Sequence, residues 1–288
     1  MRPIVSIMGL PIFKGQTLSG VKYAPNYFLN YNFSRLLKKE IKVSNTKLCF
    51  EAHNVFDSLK VSKEIVKSYK SRDYDFNLFI GGDHSMSMAT ISGMIDEEEK
   101  DDHVVLWIDA HTDCNTFNTS PSMNLHGMSV SGILGLLPEP FNIFNCINKD
   151  QIMYLGIRSM DKGEKEFLEN NKNYAISNKL ITSDDLHNDI SSKMEEIESF
   201  IKNKKIHVSF DVDSLDPKFV SSTGTPVKGG LNLDQVNKIF DLLSNHNVVS
   251  MDLVEFNPLL GDPTKSYKNI SDIISNFINK RIKLPSQP

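Results

Sequence analysis

The chain has little of what most sharply restricts a protein's class. It has three cysteines in 288 residues, Cys49, Cys114 and Cys146. An odd, widely spaced set without a C-x-x-C pair excludes a disulfide framework and points to a reducing compartment. No apolar run approaches the ~20 residues a membrane helix requires. A formal net charge of only -4 gives no reason to expect nucleic acid or an anionic membrane as partner. The strand-like run Ile4–Met8 starts so early that no signal or transit peptide is expected, and the cytoplasm is the default compartment. There is no internal repeat, low-complexity tract or linker, so one domain is expected over residues 1–288.

What is present is ordinary globular material, 40% hydrophobic and 24% charged, enough for a core without staples. Short apolar runs alternate with segments of helical spacing. Strands are expected at 4–8, 47–50, 77–80, 103–108, 152–157, 207–210 and 248–254. Helices are expected near 24–39, 61–69, from Ser85 through Ile95, 130–137, 190–201, 236–243 and 270–278. The acidic run 96–102 reads as a solvated loop. Alternation from end to end predicts an α/β fold, a mostly parallel sheet in a three-layer α/β/α arrangement. In such sheets the ligand site lies beyond the carboxyl ends of the strands.

Polar residues gather at those ends. After the apolar run 103–108 come Asp109, His111 and Asp113, at i, i+2 and i+4. On an extended chain they point the same way, and converging carboxylates and imidazole call for a cation between them. The alternative is a loop of turn-formers with a surface histidine. His84 closes G-G-D-H-S, Asp211 and Asp213 stand in S-F-D-V-D, and Glu255 stands in D-L-V-E-F-N-P. The set His84, Asp109, His111, Asp113, Asp211 and Asp213 is too large for one ion. Its carboxylate-rich chemistry suits manganese better than a thiolate-type zinc site. Two such ions can activate a water for hydrolysis. Cys114 falls on the opposite side and is expected in the core, as are His103 and His207.

The motifs G-G-D-H-S, W-I-D-A-H-T-D-C-N, N-L-H-G-M, S-F-D-V-D-S-L-D-P with S-T-G-T-P-V-K-G-G, and M-D-L-V-E-F-N-P occur in the order seen in ureohydrolases. The set most resembles the arginase family, from about residue 3 to residue 280, including Lys14-Gly15-Gln16 near the start. The resemblance implies two manganese ions per chain. One would be held by His84, Asp109, Asp113 and Asp211, the other by Asp109, His111, Asp211 and Asp213. It implies His126 as the catalytic proton donor, Asp113 as a partner of the attacking hydroxide, and Glu255 as the carboxylate that meets the guanidinium. It places Asn115, Ser120 and Ser122 near a substrate α-carboxylate, Asp161 and Glu164 near an α-ammonium, and Asn124 and Thr225 among the substrate-binding residues.

Hydrolysis of L-arginine to L-ornithine and urea is the implied reaction, by a homo-oligomer, trimer or hexamer. Agmatine or another guanidino compound is the rival substrate, and an inactive metal-binding regulatory protein the rival class. Met123 replaces a usual glycine, Ser129 a usual proline, and Ser159 stands where an acid is common. These departures border the α-group subsite and leave the metal ligands intact.

Overall fold

The computed structural model describes residues 2–47, 54–70, 74–170 and 179–282. Eight strands form one parallel sheet. They are β1 (Ile4–Leu10), β2 (Lys42–Lys47), β3 (Phe76–Gly81), β4 (His103–Ile108), β5 (Ile152–Ile157), β6 (Leu180–Thr182), β7 (Lys205–Asp211) and β8 (Val248–Val254). Their order across the sheet is β2-β1-β3-β8-β7-β4-β5-β6, and every paired neighbour runs parallel.

The middle strands are buried on both faces, as helices on each side require. On β4, Val104, Leu106 and Ile108 enter one core and Val105 and Trp107 the other. The first core is closed by α1 (Ala24–Asn30), α6 (Ser183–Asn188), α7 (Ile190–Ile201), α8 (Leu233–Leu243) and α9 (Pro263–Arg281). The second is closed by α2 (Val55–Lys70), α3 (Met86–Met94), α4 (Ser129–Ile133) and α5 (Lys162–Asn170). On β7 the period of two has a further use. Ile206, Val208 and Phe210 enter the first core, so His207, Ser209 and Asp211 project from the other face.

The expected α/β/α architecture is therefore observed, with local differences. The helix expected over 24–39 ends at Asn30, followed by a 3-10 turn at Phe33–Leu36; Asn32, at φ 55°, breaks it. The helix expected over 130–137 is short because Gly135, at φ 71°, takes a left-handed cap conformation. The second strand runs over Lys42–Lys47, and residues 48–50 of the expected strand lie outside the described residues. The acidic run forms a 3-10 helix, Glu97–Asp102. Helices α5 and α6 and strand β6 were not expected; α5 and α6 carry few apolar residues, and β6 has only three residues.

Candidate metal centre and substrate cleft

The carboxyl ends of the four middle strands, β3, β8, β7 and β4, deliver His84, Glu255, Asp211 and Asp109 to one place. These strands are distant in sequence and adjacent in the sheet. His84 Nδ1 lies 3.0 Å from Asp109 Oδ2, 3.1 Å from Asp113 Oδ2 and 3.1 Å from Asp211 Oδ2. His111 Nδ1 lies 3.2 Å from Asp213 Oδ2 and 3.5 Å from Asp109 Oδ1. Ligand atoms of His84, Asp109 and Asp113 fall within 4.8 Å of one another, and so do those of Asp109, His111 and Asp213. Asp109 is common to both groups.

The backbone brings these side chains together by turning. Asp113 sits at φ 47°, a left-handed conformation that costs a non-glycine residue energy. Its approach to His84 comes from that turn, whereas an extended chain was expected. Asp211 and Asp213 likewise meet across a 3-10 turn, Val212–Ser214, in which Asp213 N–H donates to Asp211 Oδ1 at 2.8 Å. Cys114 is buried in the second core, as expected. His103 Nδ1 pairs with Glu99 O, and His207 Nδ1 with Ser250 Oγ.

The electrostatics identify what the cluster can hold. His84 Nδ1 is buried and makes no hydrogen bond, although three carboxylate oxygens face it. Its other nitrogen, Nε2, is 2.8 Å from Ser209 Oγ. An imidazole lone pair aimed at carboxylates is repelled unless a proton or a metal cation stands between them. Burial and the neighbouring acids push the carboxyls of Asp113, Asp211 and Asp213 above the usual range. Burial alone would raise Asp109 too, but His111 and His84 hold it far below that range. Burial would lower His111, yet Asp213 and Asp109 push it up to about 12. Buried acids this close destabilise one another, and cations relieve the repulsion. The donor set of oxygens and imidazole nitrogens, without thiolate, fits hard or borderline divalent ions.

Beside the cluster opens a cleft of about 140 Å³, lined by His111, Asp113, Asn115, Ser120, Ser122, His126, Gly127, Asp161, Glu164, Asp211, Thr225 and Glu255. Asn124 is not among the lining residues. Glu255, at φ 63°, accepts at Oε1 from His84 N–H at 2.9 Å and from His126 Nδ1 at 3.1 Å. Burial depresses His126, but Glu255 outweighs it and raises the imidazole to about 9. Asp161 and Glu164 cap α5 reciprocally through their side chains and backbone N–H groups, at 2.9 and 3.0 Å. Asn115 Nδ2 donates to Asp161 Oδ2 at 2.7 Å. Burial pushes Glu164 up to about 7. Ser120 and Ser122 accept from Met123 N–H and Asn124 N–H, which shapes the rim. Thr225 Oγ1 donates to Asp213 Oδ2 at 3.0 Å, so it also supports a candidate ligand.

Sequence reasoning assigned no role to Trp107, Ser209, Asp83 or Gln16. Ser209 precedes Asp211 by two on a strand, a spacing that could have revealed it. Gln16 meets Glu255 across 239 positions, a pairing that no local pattern exposes.

Fold and site together define the class: a parallel α/β protein with a candidate two-cation centre at the carboxyl ends of its middle strands. The profile of the Arginase family matches residues 4–278, and the chain belongs to that family of hydrolases. It is 32% identical over 296 residues to the arginase of Entamoeba histolytica, covering 95% of this chain and 97% of that one. It is 34% identical over 282 residues to arginase-1 of Bos taurus, covering 89% and 86%. The crystal structure of Entamoeba histolytica arginase with L-ornithine is similar at a TM-score of 0.85 and 28% identity, over 96% of this chain and 99% of that one. No helix among the described residues is long and apolar enough to cross a membrane.

Proposed function

We propose that the protein hydrolyses L-arginine to L-ornithine and urea at a two-manganese centre held by His84, Asp109, His111, Asp113, Asp211 and Asp213. The observation that carries this reading is the buried, unbonded His84 Nδ1 facing three carboxylates beside a cleft that contains Glu255. Asp109, which is common to both groups of candidate ligands, and Asp211 would each help to hold both ions in this assignment. When bound, the ions lower the pKa of a water and neutralise charge developing at the reacting carbon.

The chain's own groups do the rest. The Glu255 carboxylate pairs with the guanidinium and orients its carbon toward the cluster. Asp113 holds the nucleophile's hydrogen. His126, with Nδ1–H committed to Glu255, has Nε2 left for the cleft. Raised to about 9, it keeps a proton at neutral pH and gives it to ornithine's departing amine. Asn115, Ser120 and Ser122 serve the α-carboxylate, Asp161 and Glu164 the α-ammonium, and Thr225 steadies Asp213 at the subsite edge. The reading extends to one domain over 1–288, a homo-oligomeric trimer or hexamer, and the cytoplasm.

Urea release after manganese loading, measured for L-arginine, agmatine and other guanidino compounds, tests the proposal. Preference for L-arginine is expected. A clear preference for agmatine would overturn the substrate, and no urea from any of them would overturn the activity.

A further inference from the structure

Glu255 has a third partner, from a part of the chain far from every motif at the metal cluster. Gln16 Nε2 lies 2.5 Å from Glu255 Oε2. A carboxylate only accepts, so the amide nitrogen must be the atom facing it. The segment that carries Gln16 is fixed on both sides. Gly15 N–H donates to Asp83 Oδ2 at 2.8 Å, and Gly15 O accepts from His126 N–H at 3.1 Å. A Cβ at Gly15 would stand 2.6 Å from Asp83 Oδ1 and 2.7 Å from Ser85 Oγ, so a larger residue would have to displace both side chains. The loop thus ties the end of β3, the segment bearing His126 and the end of β8 at one point.

The hydrogen-bond inventory of Glu255 then becomes specific. A carboxylate offers about four acceptor positions, two on each oxygen. His84 N–H and His126 Nδ1 take both on Oε1. Gln16 takes one on Oε2. One position on Oε2 is left.

From this geometry we infer that Gln16 is a positioning residue that fixes the plane of the Glu255 carboxylate and leaves it one acceptor position for a guanidinium N–H. The substrate half of the inference rests on the arginine reading of the cleft. It narrows that reading, because the guanidinium meets Glu255 through one hydrogen bond to Oε2 while Gln16 stays in place. A carboxylate held at both oxygens before binding loses little freedom when substrate arrives. Without Gln16, only the two hydrogen bonds on Oε1 oppose rotation of the carboxylate, and the guanidinium must supply the restraint that Oε2 has lost.

The test uses Gln16→Met, which keeps length and removes the donor, in the full-length manganese-loaded protein. The expected result is a rise of about 10-fold in KM for L-arginine, the loss of one hydrogen bond to a charged group. Inhibition by L-ornithine, which has no guanidinium, is expected to stay within about twofold, with manganese content and melting temperature unchanged. A parallel rise in KM and in the ornithine inhibition constant, or no change in either, overturns the inference. A second measurement does not need turnover. In the metal-free protein, the Gln16 side-chain amide proton is expected downfield of free glutamine by nuclear magnetic resonance, and it should move upfield in Glu255→Gln. A free-glutamine position in the unsubstituted protein also overturns the inference. If that proton is shifted but the protein does not hydrolyse arginine, the functional reading has failed and the Gln16 contact stands.

Discussion

The indole of Trp107 lies parallel to the imidazole of His84, with ring centroids 4.0 Å apart and planes 5° apart. The same indole donates its Nε1–H to Asp109 Oδ2 at 3.0 Å. One side chain, the chain's only tryptophan, therefore orients a candidate ligand from each of two strands. Ser209 restrains His84 from its other nitrogen. Such outer partners set the direction and basicity of metal ligands.

Trp107→Phe keeps an aromatic face against His84 but removes the hydrogen bond to Asp109. Manganese affinity is expected to fall roughly 10-fold, the low end for loss of an outer-shell partner. A metal titration followed by equilibrium dialysis measures this, and unchanged affinity would show that Asp109 is oriented by other contacts.

Asp213→Ala removes the carboxylate nearest His111 while leaving His84, Asp109 and Asp113 untouched. Metal analysis should give one tightly held ion per chain in place of two, with most urea release lost. Two ions retained after dialysis would refute the ligand assignment.

The His126–Glu255 pair fixes a pH dependence. The imidazole is held at about 9, above its ordinary 6.5. The stability that His126 contributes is therefore fully present just below pH 6.5, while Glu255 stays ionised, and is lost as pH rises through about 9. Glu255→Gln removes the largest of the groups that raise His126, leaving Asp113 and Asp83 and the burial that lowers it. Its titration, followed by nuclear magnetic resonance in the metal-free protein, should then move down from about 9. A titration that stays near 9 would assign the shift to Asp113 and Asp83.

Asp161→Asn keeps the side chain's size and the oxygen that caps α5, but it removes a charge from the proposed α-ammonium subsite and the acceptor that Asn115 Nδ2 uses. KM for L-arginine is expected to rise about 10-fold with kcat nearly unchanged, the signature of lost uniform binding. A fall in kcat at constant KM would place Asp161 in the chemistry instead.

Gly82→Ala bears on folding more than catalysis. A Cβ there would meet Ile12 O at 1.6 Å, and Gly82 O accepts from Glu255 N–H at 2.8 Å. The backbone must shift where β3 hands over to His84. A thermal melt should show a loss of several degrees, at about 2–4 °C per kcal/mol for a chain of this size. An unchanged melting temperature would mean the Ile12 loop moves freely.

The sequence by itself determined the strand–helix alternation, the parallel sheet and the cluster of acids and imidazoles at strand ends, because these follow from hydrophobic period and local spacing. His84, Asp109, His111, Asp113, Asp211 and Asp213 were legible since each sits at the end of a strand-like apolar run. Tertiary structure alone decided that β3, β8, β7 and β4 lie side by side, since strand order depends on long-range packing. It alone supplied the left-handed turns at Asp113 and Glu255, conformations that neither residue type favours and that surrounding contacts must hold. And it alone brought Gln16 to Glu255 and Trp107 over His84, because a side chain's partner across a fold has no signature in its own neighbourhood.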